Sequence, residues 1–312
     1  MTYLENLTIR LANAVAALPE ETRRRHGDFV LSRQRTDGGF AGREGDSDLY
    51  YSSFALRTLA VLGLLDGEVA QRAASFLQSK LNSQESIVDF LSLVYGVKLI
   101  ESASGLNVFE TAKSDWAHTV AQALNELRRE DGGFAKGPAG KASSTYHTFL
   151  VLLCLQLIEQ PIADEDAIVR FIMSQEAEDG GFREIRVSKR AGTNPTAAAI
   201  GVLRILGAVS PSVREGTLDF LCEMQNDEGG IRANSRIPIA DVLSSFTGLL
   251  TLIDLDAADE IDLNSLAKYA ASLEQSDGGY FGAAWDSVCD VEYTFYGLAT
   301  TALVALHCNV SR

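Results

Sequence analysis

Six residues stand at the entrances of six nearly charge-free segments: Asp48, Asp89, Ser144, Thr193, Asp241 and Asp290. Each is a good helix N-cap, because its side chain can accept from N–H groups that a first helical turn leaves unpaired. Capping alone accounts for all six. Asp48, Asp241 and Asp290 carry a second reading as well. A carboxyl at an apolar entrance can donate or take a proton, or hold a cation. The loops before these entrances are basic. Residues 40–47, 134–143, 182–192, 231–240 and 280–289 hold nine Lys/Arg against four acids, a net +5 that leaves −20 for the rest of the chain. Lys189, Arg190, Arg232 and Arg236 are the candidate holders of an anion, helped by the positive ends of the helices that start there. Solvated loop charge explains the same count. Tyr51, His147 and Tyr293 occupy equivalent places just inside the entrances, among Tyr50, Phe54, Phe90, Tyr146, Phe149, Phe246, Phe295 and Tyr296. Those facing the core are ordinary packing; the rest would line an apolar cavity with polar tips. His147 reads either as a general base or as a hydrogen-bonded core residue. His26, His118 and His307 read as structural. A charged head at the mouth and an apolar tail within describe an amphipathic anion.

The elements that must position these residues repeat. An acidic residue, two glycines and usually an aromatic recur as Asp37-Gly38-Gly39-Phe40, Asp131-Gly132-Gly133-Phe134, Asp179-Gly180-Gly181-Phe182, Glu228-Gly229-Gly230-Ile231 and Asp277-Gly278-Gly279-Tyr280. The last three intervals are 48, 49 and 49 residues, and the first, 94, is close to two periods. One copy has lost its glycines, and residues 78–86 sit where it should be. That gives six repeats of about 48 residues between about 25 and 307, which is a repeat architecture. In each, a helix of mixed charge leads into the glycines. About ten loop residues follow, then an almost charge-free helix: 49–65, 90–100, 145–158, 195–206, 242–253 and 291–306. Continuous apolarity means burial on most sides. Amphipathic helices alternating with buried ones predict two layers. Repeats one and six are as apolar as the middle ones, unlike the capping repeats of an open solenoid. The expectation is an all-α, α/α toroid of six helix pairs, with six inner and six outer helices and a short helix near 5–18. It is one domain over 1–312, and nothing reads as a strand.

The chain has 312 residues, 46% hydrophobic and 22% charged, with a net charge of −15 and a pI near 4.7. An acidic chain is a poor nucleic-acid binder, since such binding rests on Lys/Arg against phosphate. Cys154, Cys222, Cys289 and Cys308 form no CxxC pair, so neither a zinc ribbon nor a redox motif is present. The longest charge-free stretch, residues 142–157, is too short and too polar to span a membrane. The N-terminus lacks the pattern of a secretory signal. A cytoplasmic protein with reduced thiols is expected.

Gln-x-x-(Asp/Glu)-Gly-Gly-aromatic at this period, with Gln34, Gln175, Gln225 and Gln275, resembles the prenyltransferase and squalene-cyclase repeat superfamily. In organisation the chain is most similar to the beta subunits of protein farnesyl- and geranylgeranyltransferases. The resemblance implies the toroid, an isoprenoid diphosphate as ligand, a helical alpha-type partner subunit, and zinc. In that family zinc is held by an Asp and a Cys two residues on at the fifth inner helix, and by a His at the sixth. Here Asp241 matches, Leu243 replaces the Cys and Tyr293 stands in the His place. Whether zinc binds is left open. A shifted site would use Asp286, Cys289, Asp290 and Glu292. A diphosphate-binding His of the family matches Thr193, and Arg232 or Arg236 stands in for basic residues near the fifth entrance. On the cyclase side of the superfamily, Asp46-Ser47-Asp48 matches the first two acids of an Asp-x-Asp-Asp motif, while Leu49 replaces the third.

Three readings follow. The first is an isoprenoid-diphosphate prenyltransferase-like protein with a non-standard or absent zinc site. The second is a single-domain class II cyclase-like enzyme using Asp48 as proton donor. The third is a non-catalytic toroid that binds a lipid or a protein.

Overall fold

The structure is a computed structural model and describes residues 1–81, 86–110 and 115–310. Its helices, in chain order, are α1 (Tyr3–Ala16), α2 (Glu20–Leu31), α3 (Leu49–Leu62), α4 (Gly67–Ser79), α5 (Ile87–Ser104), α6 (Trp116–Asn125), α7 (Thr145–Leu157), α8 (Glu165–Met173), α9 (Thr193–Ile205), α10 (Pro211–Met224), α11 (Val242–Asp254), α12 (Leu263–Leu273) and α13 (Val291–Val310). All six expected apolar helices are present, as α3, α5, α7, α9, α11 and α13. The chain is all-α apart from two strands of two residues, β1 (Phe134–Ala135) and β2 (Ser143–Ser144), paired antiparallel. Single bridges such as Phe40 with Asp48 and Phe182 with Gly192 recur at the same place in other repeats. These correct the expectation of no strand. The Gly-Gly turn doubles the loop back on itself, so its ends pair briefly before the next helix begins.

Contacts divide the chain into two compact units. In the first (residues 1–114 and 270–312), α13, α3 and α5 pack side by side, α2 covers α3 and α13, α4 covers α5, and α1 lies against α3 and α13. In the second (residues 115–269), α7, α9 and α11 form a row, with α8 and α10 laid over it.

Why these residues give this pattern is visible in one repeat. Asp131 Oδ1 accepts from Gly133 N (3.1 Å), tightening the turn. Gly132 takes φ +92°, and a Cβ there would lie 2.3 Å from the carbonyl oxygen of Ala167 on α8. Only glycine permits both the angle and the approach. The turn is thereby keyed onto the covering helix of the following repeat. Gly38 meets Arg72, Gly180 meets Gly216 and Gly229 meets Ser265 in the same way, and Gly278 meets Arg25 on α2. The aromatic that follows is driven inward: Phe134 is 1% exposed. Its N–H, which burial would strand, donates to Thr148 Oγ1 at 3.0 Å, as Phe40 does to Ser52 and Phe182 to Thr196. In the repeat without glycines, part of the expected segment (residues 82–85) lies outside the described residues. Gln78 there still donates to a carbonyl, that of Val108.

Three local expectations need correction. The first helix runs over Tyr3–Ala16, two residues earlier than expected, because Thr2 and Glu5 close a reciprocal capping box. Asp89 is not the cap of α5. Ser86 is, accepting from Asp89 N (3.1 Å), so the helix starts at Ile87. Gly192 holds the cap position of α9, and Thr193 is its first residue. Thr193 Oγ1 donates instead to the carbonyl of Arg232.

Candidate functional site

In the first unit the entrances of α3 and α13 gather Asp48, Tyr51, Asp290 and Tyr293. Asp48 caps α3 by accepting from Tyr51 N (2.7 Å) and lies open to solvent. Its carboxyl titrates above the usual range. Desolvation by the surrounding chain is the main cause, the bond from Tyr51 opposes it, and Asp89 adds to it. Asp290 is 1% exposed and caps α13 through Tyr293 N (2.8 Å). Arg43, one of the nine basic loop residues, is the hub. Its Nε donates to Asp290 Oδ2 (2.9 Å), its two terminal nitrogens donate to Asp286 (3.0 and 2.5 Å), and its guanidinium lies 5.1 Å above the Tyr293 ring. Partial burial opposes the charge on Arg43, but the two carboxylates outweigh it and hold the group protonated. Asp286 is held below its ordinary value: desolvation works against this, and the Arg43 bond prevails.

The shifted metal site was expected on these same residues. A guanidinium already occupies the space between Asp286 and Asp290, and burial pushes the Cys289 thiol up to about 11, so it is no ready thiolate. Glu292 takes the Tyr50 hydroxyl at 2.7 Å, and burial raises its carboxyl. Inward of these groups, rings touch in sequence. Tyr50 meets Tyr51 (5.3 Å) and Phe54 (5.1 Å), and Phe54 meets Tyr296 (5.3 Å) and Phe295 (5.9 Å). Arg57 stacks over Phe54 at 4.6 Å. Phe54 and Phe295 are buried core, while Tyr50, Tyr51 and Tyr296 are part-exposed, apolar in body and cation-attracting at their ring faces.

In the second unit the predicted residues part company. Lys189, Arg190 and Arg236 line one open cleft of about 1040 Å³, together with Arg183 and the acids Glu176, Glu178 and Asp179. Arg232 is elsewhere. Its guanidinium turns back to the carbonyls of Glu223 and Met224 at the end of α10, where the last carbonyls of a helix lack partners. Arg183 likewise bonds to the carbonyls of Gln175 and Glu176. Asp241 caps α11 with both oxygens engaged, by Ser244 N (2.7 Å) and Ser244 Oγ (2.8 Å), and burial raises its carboxyl.

His147 is half-buried at the third residue of α7. Its Nδ1 lies 2.8 Å from Ser144 Oγ, and Ser144 in turn donates to Glu184. Burial, with Lys136 nearby, lowers the His147 pKa. Glu184 was missed from sequence. Its signal is positional: the residue two past the buried apolar residue that follows the glycines presents its carbonyl to the preceding apolar helix, as Glu184 (after Phe182) does to Thr145 N and Ala233 (after Ile231) does to Thr193 N.

Of the resembling family's zinc ligands, Asp241 is the one the sequence matches. Asp241 spends both oxygens on Ser244, Leu243 offers no donor, and no group of three metal-ligating side chains occurs among the described residues. No helix of the described residues is long and apolar enough to cross a membrane.

Among curated proteins, the chain is 26% identical over 219 residues to the protein farnesyltransferase subunit beta of Schizosaccharomyces pombe, covering 66% of this chain and 56% of that one. It is 23% identical over 201 residues to the Arabidopsis thaliana subunit, covering 62% and 40%. The chain thus spans about half the length of the curated relatives it matches. Among solved structures, Candida albicans protein geranylgeranyltransferase-I complexed with GGPP superposes with a TM-score of 0.73 at 15% identity, covering 90% of each chain. A type II terpene cyclase from Scytonema bound to geranylgeranyl dihydroxybenzoate superposes with a TM-score of 0.62 at 11% identity, covering 97% and 99%. Both likenesses are of fold. The family model described as the prenyltransferase alpha-alpha toroid domain matches residues 3–92, 74–236 and 199–311, so the chain belongs to the prenyltransferase alpha-alpha toroid family.

Proposed function

We propose that the protein binds an isoprenoid diphosphate and transfers its prenyl group to an acceptor, with 1–312 acting as a single toroidal domain. The observation that carries this reading is the cluster of part-exposed rings Tyr50, Tyr51 and Tyr296 near the starts of α3 and α13, backed by the buried rings of Phe54 and Phe295. Isoprene units are apolar, and an allylic centre losing diphosphate becomes cationic, which ring faces stabilise. The farnesyltransferase beta relatives and the fold of the GGPP-bound transferase support the same substrate class. Tyr51 and Tyr293 line the hydrocarbon path. Within the second unit, Lys189, Arg190 and Arg236 line the open cleft and are the candidate cations for an anion, whereas the Arg232 guanidinium is spent on carbonyls of α10. In the reaction the acceptor's lone pair forms a bond to C1 of the prenyl chain. The C1–O bond breaks, diphosphate leaves with the electron pair, and the acceptor's proton passes to a base. A helical alpha-type partner is part of the proposal, since the relatives are named as beta subunits.

One observation favours a second reading. Asp48 caps the helix that opens with Tyr50 and Tyr51, and its raised carboxyl would protonate an alkene and start a cyclisation, with Asp290 capping the neighbouring helix α13. Two measurements separate the readings. Calorimetric titration with farnesyl and geranylgeranyl diphosphate, against pyrophosphate and farnesol, should show binding that far exceeds both controls. Incubation without acceptor should return the substrate intact. No binding of the diphosphates overturns transfer, and a cyclised product formed without acceptor selects the Asp48 reading.

A further inference from the structure

The N-terminus of α7 holds more than a cap requires. Ser144 alone suffices as cap, accepting from His147 N at 3.1 Å. Yet a carboxylate 40 residues away, Glu184, is brought onto the same hydroxyl. It is anchored there because Glu184 O accepts from Thr145 N (2.9 Å) and Arg183 O from Thr145 Oγ1 (2.7 Å). At the entrance of α11 the arrangement is different: Asp241 is the cap, and a serine, Ser244, stands at the third helical residue. In α7 the cap is a serine, the third residue is a histidine, and the carboxylate comes from a distant loop.

A hydroxyl has one proton, and that of Ser144 goes to Glu184. The contact of 2.8 Å between Ser144 Oγ and His147 Nδ1 must then be made by a proton on Nδ1. Burial and Lys136 keep this imidazole neutral, so the remaining nitrogen, Nε2, carries a lone pair. No group among the described residues bonds to Nε2.

We infer that Glu184, Ser144 and His147 form a proton relay whose outlet, His147 Nε2, is a general base for an acceptor hydroxyl or thiol. The assignment of the acceptor rests on the prenyl-transfer reading. As the acceptor attacks C1 and diphosphate departs, the acceptor's proton moves to Nε2. Burial raises the Glu184 carboxyl and its bonds from Ser144 and the Tyr146 N–H oppose this; in its ionised form it stabilises the resulting imidazolium through the Ser144 hydroxyl and Nδ1–H. The proton then leaves to water, which restores the neutral ring. Glu184 and Ser144 act through the histidine as positioning residues, and His147 alone meets the substrate.

The test uses the full chain labelled with ¹⁵N-histidine. Long-range ¹H–¹⁵N spectra report the tautomer of each of the four histidines, and His147→Gln assigns the signal. The expected result is a single Nδ1–H tautomer at His147 near neutral pH, lost to a mixture in Glu184→Gln with the melting temperature nearly unchanged. An Nε2–H tautomer in the parent chain, or a spectrum unchanged by Glu184→Gln, overturns the relay. Both arms are read without substrate, so they stand apart from the diphosphate titration. If the titration succeeds, His147→Gln should lower prenyl turnover by about 10²-fold or more with diphosphate affinity retained. Unchanged turnover overturns the base.

Discussion

Arg43 shows how much one side chain can carry at the residue scale. It links Asp286, Asp290 and the Tyr293 ring, and the two carboxylates lie deep while the guanidinium is 34% exposed. Removing one partner of a buried ion pair costs about 3–5 kcal/mol; partial exposure reduces that here to about 1–2 kcal/mol. Arg43→Gln should therefore lower the melting temperature, and Arg43→Gln with Asp286→Asn should recover part of the loss. Asp241 predicts the opposite sign. Its folded carboxyl titrates above the unfolded one, so ionisation at neutral pH disfavours folding. Asp241→Asn, still a good cap, should raise the melting temperature at pH 7, with the gain shrinking as the pH falls through the raised value. Glu274 runs the other way. His26, and then Arg25, depress its carboxyl below the ordinary value despite partial burial. Its contribution is present above the unfolded value and is lost as the pH falls through the depressed one. Glu274→Gln should lower stability at pH 7 and match the parent chain in acid, as thermal melts between pH 7 and 3 will show.

At the scale of elements, the Gly-Gly turn sets the fold. Gly132→Ala forces a side chain into a positive φ and against the Ala167 carbonyl, which should cost about 2 kcal/mol or more in denaturant titration. Gly137, with open space around it and no positive φ, should accept alanine with a change within about 0.5 kcal/mol. The turns and the apolar helices were legible in the sequence because both are local: a period of 48–49 residues and runs without charge. The entrance residues were legible as helix starts for the same reason, and four of the six are caps: Asp48, Ser144, Asp241 and Asp290. What could not be read is where long side chains turn. Arg232 and Lys189 have the same local signature. Yet Arg232 satisfies the end of α10, while Lys189 faces a cleft. Glu184 was invisible because its partners lie 38 and 40 residues away.

For the whole molecule, ligand binding and stability are linked. A prenyl diphosphate at 100 times its dissociation constant should add about 2.7 kcal/mol to unfolding, seen as a concentration-dependent rise in melting temperature. Farnesol or pyrophosphate alone should give far less.

Gly278 and Arg25 bring the last repeat onto the first: the final glycine turn docks on α2, Gly279 N donates to His26 across 253 residues, and α1 packs on α13. A chain leaves the ribosome in order, at about 5–20 residues per second. The first repeat therefore waits roughly 10–50 s for the turn that completes it, with the buried face of His26 open in the meantime. The first repeat stays unfinished until that turn is made, and a stop near residue 269 should leave α1 and α2 as the segments that proteases cut first.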